Sequence, residues 1–125
     1  MVVAYFSAEI GLDECIKTYS GGLGVLAGDT IKSMADLEVD MVAVTLLYKH
    51  GYFKQEIQEH RQHEFDDHWD FQNILTDTGK TITLNINNTT ITIKIWKYEY
   101  EGVTGHKIPI LFLDANLNEN PDWAQ

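Results

Sequence analysis

Tyr19-Ser20-Gly21-Gly22-Leu23-Gly24-Val25-Leu26-Ala27-Gly28-Asp29 is dense in glycine and passes directly into helical periodicity. Residues without a side chain reach positive φ and let a ligand come close to the main chain. From Leu23 onward the apolar positions Leu23, Leu26, Ala27, Ile31, Met34 and Leu37 recur at helical spacing, with Asp29, Lys32, Ser33 and Asp36 on another face. The loop therefore opens a helix. The first turn of a helix carries unpaired N–H groups and the positive end of the dipole, which together favour a phosphate or carboxylate. Ser20 stands where a cap or a hydroxyl contact is needed. The glycines also fit a tight turn, with Gly28 letting the helix sit close to a sheet, and spacing alone leaves both readings open.

Working outward, Val2-Val3-Ala4-Tyr5-Phe6 and the run from Met41 to Leu47 are continuous and β-rich, as in strands buried on both faces of a parallel sheet. Residues 2–47 thus predict a β-loop-α-β unit with a right-handed crossover. The glycine loop then lies near the carboxyl ends of the strands, where open α/β sheets bind ligands. Beyond Gly51 the pattern becomes alternating: Ile82, Leu84 and Ile86 with Thr83 and Asn85, then Ile91, Ile93 and Ile95 with Thr92 and Lys94. Two half-buried antiparallel strands joined at Asn87-Asn88 follow from it. Ile108 to Leu113 is a last strand, ending at Asp114, and residues 116–125 read as loop. The expected organisation is one partial domain over 1–125. It comprises a β-loop-α-β core over 1–57, a charged connecting segment over 58–80, a hairpin excursion over 81–107, and a strand with terminal loop over 108–125.

Several chemistries fall away. Gly22, Gly24 and Gly28 form a G-x-G-x-x-x-G run, one residue longer than the dinucleotide fingerprint, and the second strand ends at Tyr48-Lys49-His50 without the acidic ribose partner. No Gly-Lys-Ser/Thr follows the glycines, which excludes a nucleotide P-loop. The formal charge of -10, from 9 basic and 19 acidic residues, argues against nucleic acid and against an anionic membrane surface. A phosphate must then be held by local geometry, through backbone donors or basic groups supplied from outside this chain. No apolar run is long enough to span a bilayer and no secretory leader is recognisable. The single Cys15 cannot form an internal disulfide, which suits the cytoplasm, and as a nucleophile it lacks a His or Asn partner in the sequence. His60, His63 and His68 cluster with Glu64, Asp66 and Asp67, but mixed charge runs are usually solvated faces and no metal site is assigned. Glu9 and Asp29 would serve as an acid/base pair only if the fold brought them together.

Three motifs in order carry a resemblance. Ala4-Tyr5-Phe6-Ser7-Ala8-Glu9-Ile10-Gly11-Leu12, then residues 19–29 quoted above, then Leu46-Leu47-Tyr48 with Gly51-Tyr52-Phe53-Lys54-Gln55, are similar to the amino-terminal region of the α-glucan phosphorylases (glycogen, starch or maltodextrin), the short bacterial type in particular. A weaker echo runs from Trp96 through Leu111-Phe112-Leu113-Asp114-Ala115-Asn116 to Glu119-Asn120. Departures from the family pattern are Ile10 for an aromatic residue, Thr30 for histidine and Thr45 for glycine.

The resemblance implies an α/β fold, an incomplete Rossmann-like amino-terminal domain of a two-domain, GT-B type glycosyltransferase with a hairpin excursion. It implies phosphorolysis of α-1,4-glucan to glucose 1-phosphate in the cleft between the domains, with pyridoxal phosphate held by a lysine of the absent carboxyl-terminal domain. The phosphate and substrate contacts carried over are Gly21, Gly22, Leu23 and Gly24, with Glu9 in an orienting role. The chain is expected to be an amino-terminal fragment, inactive alone and without tight cofactor binding. Its expected partners are glucan, phosphate or glucose 1-phosphate, the missing domain, and copies of itself through an exposed cleft or domain face. Two alternatives stay open. One is a glucan synthase fragment using a sugar nucleotide, in which family a Lys-Thr precedes Gly-Gly, whereas here Tyr19-Ser20 displaces Lys17-Thr18. The other is a non-catalytic phosphate- or oligosaccharide-binding module or interaction remnant.

Overall fold

The computed structural model describes residues 1–12, 22–47, 50–58, 61–68, 71–117, 120, 121 and 123, those of 50–58 and 61–68 by backbone alone. The elements are β1 (Val3–Phe6), α1 (Gly22–Asp36), β2 (Met41–Leu46), β3 (His50–Gln58), β4 (Arg61–His68), α2 (Phe71–Ile74), β5 (Thr76–Ile86), β6 (Thr89–Glu101) and β7 (Lys107–Asp114). Five strands form one sheet in the order β1-β2-β7-β6-β5, while β3 and β4 pair separately. β1, β2 and β7 run parallel, and β6 and β5 extend the sheet antiparallel. The hairpin is therefore a continuation of the main sheet. Segment 58–80, read from the sequence as a connector, contains β4, α2 and the start of β5.

Turn chemistry explains the hairpin. Asn87 and Asn88 both have positive φ, 52° and 61°, the geometry of a two-residue turn whose twist matches the flanking strands. Ile86 pairs with Thr89 directly across it.

α1 packs on the sheet through Gly24, Ala27, Gly28, Ile31 and Ala35, a stripe of mostly small residues. Leu23, Leu26 and Leu37, which the periodicity assigns to the buried face, are exposed. The close approach of the backbone selects against large side chains. A Cβ on Gly28 would collide with the Gly11 carbonyl oxygen and lie 2.7 Å from its carbon. One on Gly102 would lie 2.8 Å from the Ala35 carbonyl carbon. The helix ends with Val39 N–H donating to Met34 O and Glu38 N–H to Ala35 O, a Schellman arrangement with Glu38 in the left-handed position at φ 59°. Asp36 Oδ1 then accepts from Val103 N–H at 2.9 Å, and His106 Nε2 donates to Val39 O at 2.9 Å, fixing the helix end to the β6–β7 turn.

Beneath α1 lie Met41, Ala43, Ile108, Ile110 and Phe112, with Trp96 beside them and Phe71 meeting its ring edge-on at 5.3 Å. Phe112 is fully buried. Removing a side chain of this class from water contributes about 2–3 kcal/mol. The expectation that the first two strands are buried on both faces does not hold among the described residues. Phe6 is 74% and Leu46 48% exposed, because α1 covers one face and no described helix covers the other.

Candidate functional site

After β1 the chain turns immediately. Ser7 Oγ donates to Glu9 O at 2.7 Å, and Glu9 N–H points back to Ser7 Oγ at 3.4 Å. This local hydroxyl turn leaves Glu9 half-buried and drives Ile10 into the core at zero exposure. Gly11 N–H then donates to Gly24 O at 2.8 Å, so the segment leaving β1 is clamped against the first turns of α1. Gly28 permits that clamp, since only hydrogen fits opposite the Gly11 carbonyl.

The four loop residues consequently divide. Gly22 begins α1, is exposed, and has open space around the position of a Cβ. Leu23 is 55% exposed. Neither is committed to packing, no acidic residue stands in the first turn, and first-turn N–H groups have no partner within a helix. Gly24 is buried and its carbonyl is used by Gly11. Gly21, with Ser20 and Cys15, lies outside the described residues. So do the side chains of His63, Glu64, Asp66, Asp67 and His68, and the whole of His60. Asp29 sits exposed on the second turn of α1.

The helix start and the carboxyl ends of the parallel strands belong to the same end of the β1-α1-β2 unit. There a shallow depression of about 300 Å³ is lined by Phe6, Ser7, Ala8, Val44, Thr45, Leu46 and Leu113. Its lining is mostly apolar. Thr45 is 3% exposed and its Oγ1 has no hydrogen-bond partner among the described residues, an expensive state for a buried hydroxyl. Asp114, at the end of β7, is 2% exposed and accepts from Asn116 N–H at 3.0 Å. Reading the sequence missed both. Thr45 sits in an apolar run, and Asp114 looks like a strand terminator, so only the burial of their strand ends distinguishes them. A second depression, about 380 Å³, lies elsewhere against Ile74, Thr76, Lys97, Tyr98, Glu99 and Lys107. Lys97 is already paired with Glu99 there, Nζ to Oε1 at 2.8 Å, which lowers the Glu99 pKa through that hydrogen bond.

Pyridoxal phosphate would need an amine for its aldehyde and cations for its phosphate. The residues lining the strand-end depression furnish neither, so they do not fit that group by themselves.

Residues 15–103 match the family model of the carbohydrate phosphorylases. The chain is 38% identical over 127 residues to a glycogen phosphorylase of Mycobacterium tuberculosis (strain ATCC 25618 / H37Rv), covering 94% of this chain and 14% of that protein. It is 30% identical over 132 residues to a glycogen phosphorylase of Aquifex aeolicus, covering 97% of this chain and 18% of the relative. A maltodextrin phosphorylase of Thermococcus litoralis is 54% identical over 57 residues, 46% of this chain and 7% of that protein. The chain thus spans less than a fifth of the length of these relatives.

Proposed function

The chain belongs to the carbohydrate phosphorylase family, and from that premise we propose that it supplies the phosphate-binding wall of an α-glucan phosphorylase site, with Gly22 and Leu23 donating main-chain N–H groups to inorganic phosphate or to the phosphate of glucose 1-phosphate. The observation that carries this reading is the exposed first turn of a fifteen-residue helix. It is free of acidic side chains, with open space around Gly22, beside the carboxyl ends of parallel strands. Such a terminus attracts an anion through dipole and donors even in a chain of net charge -10, because the interaction acts within one turn whereas distant surface charge is screened.

In this reading the chain contributes donors and shape. Phosphorolysis builds positive charge on the sugar while phosphate stands close by, so preorganised donors lower the barrier by holding the anion where it is needed. Gly24 and Gly28 position the donors by docking the helix, Glu9 has an orienting role, and the family resemblance adds Gly21 as a further phosphate contact. Pyridoxal phosphate, its lysine and the basic groups of the site belong to polypeptide outside these residues, in a GT-B type pair of Rossmann-like domains. In this reading β1, α1 and β2, extended by β7, form the Rossmann-like core, and a cytoplasmic setting accords with the lone Cys15.

Titrating the isotope-labelled chain with inorganic phosphate and then glucose 1-phosphate tests this directly. The Gly22 and Leu23 amide resonances should move together and saturate, with equal ionic strength of chloride leaving them in place. Shifts confined to other residues, or matched by chloride, would remove the basis of the proposal.

A further inference from the structure

Ser7 is the last point at which the chain leaving β1 is tied to the sheet, its N–H donating to Val44 O at 3.1 Å. Its Oγ donates to the Glu9 carbonyl at 2.7 Å, and Glu9 N–H points back to the same oxygen at 3.4 Å. Both main-chain groups of residue 9 are thus gathered on one side chain, a local turn that serine forms readily. Ile10 then enters the core at zero exposure, and Gly11 meets α1.

Gly11 touches that helix at two points one turn apart. Its N–H donates to Gly24 O at 2.8 Å, and its carbonyl oxygen occupies the space that a Cβ on Gly28 would need. Contacts four residues apart on one helix face fix both the height of the helix and its rotation. Gly24 lies in the same turn as Gly22 and Leu23, so where their N–H groups stand follows from where Gly11 stands. The other end of α1 is held separately, by Asp36 Oδ1 accepting from Val103 N–H and by His106 Nε2 on Val39 O.

We infer that Ser7 is a positioning residue for the phosphate-binding turn, its hydroxyl setting the Gly22 and Leu23 donors through Glu9 O and Gly11. The inference rests on the reading of that turn as a phosphate site. The hydroxyl is committed to Glu9, so it acts on the anion by placement alone. Donors stabilise a charge best when they are fixed before it arrives. Without Oγ, residues 8–11 gain freedom, and bound phosphate must order them, which weakens binding.

Amide hydrogen exchange and titration with inorganic phosphate, both read residue by residue on the isotope-labelled 125-residue chain, provide the test. In Ser7→Ala the Gly11 amide should exchange roughly tenfold faster while α1 amides beyond Gly28 keep their rates. Phosphate should bind that variant roughly fivefold more weakly, read from the Gly22 and Leu23 resonances. Ser7→Thr keeps the hydroxyl and should restore both. Asp36→Ala removes the acceptor of Val103 N–H at the other end of the same helix and should leave both readouts as in wild type, which separates placement from general stability. Wild-type Gly11 exchange or wild-type phosphate affinity in Ser7→Ala would overturn the inference. So would a loss in Ser7→Thr or in Asp36→Ala as large as that in Ser7→Ala. A wild type whose Gly22 and Leu23 resonances ignore phosphate would instead overturn the reading of the site, and Gly11 exchange in Ser7→Ala would still decide whether the hydroxyl holds the helix start.

Discussion

At Gly28 there is no room for a single methyl group against the Gly11 carbonyl, whereas on the outer strand β5 the apolar positions Ile82, Leu84 and Ile86 keep 40% or more of their surface in water. Both regions were built from apolar periodicity, and among the described residues one has a partner while the other lacks it. The helix side is fixed by backbone approaching backbone, where close packing leaves no tolerance. The hairpin side is fixed by ladder bonds and a turn, which specify a strand without specifying what covers it. The difference teaches that patterning selects the element, and the neighbour decides whether its face is core or surface.

The most severe way to break the tight side is Gly28→Ala. Its Cβ must displace residue 11, which strains the Gly11–Gly24 hydrogen bond as well, and we expect about 3 kcal/mol of destabilisation by urea unfolding. Gly22→Ala, in open space on the same helix, should stay within about 0.5 kcal/mol of wild type. Equal losses at the two positions would dissolve the distinction between packed and open glycines. A smaller effect of opposite sign is expected at the strand end of the same half. Thr45→Val exchanges an unpartnered buried hydroxyl for a methyl of similar shape and should raise stability by about 1 kcal/mol. A thermal midpoint that falls instead would show that Oγ1 has a water or ligand to bond.

The smallest effect belongs to the hairpin. Lys94 Nζ stands 2.8 Å from Asp77 Oδ2, and its hydrogen bond, followed by that of Gly79 N–H, holds the Asp77 carboxyl below its ordinary value of 3.8. A carboxylate with a lowered folded-state pKa adds stability that is present above the ordinary value and is lost as pH falls through the folded one. Asp77→Asn should therefore lower stability slightly at neutral pH, with the difference from wild type closing as pH falls below about 4. An unchanged acid limb would mean that the pair contributes nothing to folding.

The family and the helix that follows the glycines were legible in the sequence. The glycine density, the helix following it and the order of the three motifs led to the right family, and Gly22 and Leu23 stand at an exposed helix start. What could not be read was the division of labour among the glycines. Gly24 and Gly28 serve packing against Gly11, a neighbour thirteen or more residues away that periodicity cannot name. For the same reason Leu23, Leu26 and Leu37 looked like core and are surface. Their helical spacing is real, but the stripe that meets the sheet is chosen by how near the backbones come.

The sequence by itself determined β1, α1, β2, the two hairpin strands and β7, the turn at Asn87-Asn88, the phosphorylase kinship and the acidic balance of the chain. Those properties are set by bonds and patterns within a few residues. Tertiary structure alone decided that the hairpin continues the parallel sheet through β7, that Thr45 and Asp114 are buried at the strand ends, and that Asn120 completes the edge beside Thr92. Each of these depends on which distant segments become neighbours, and burial and hydrogen-bond satisfaction are properties of neighbours in space.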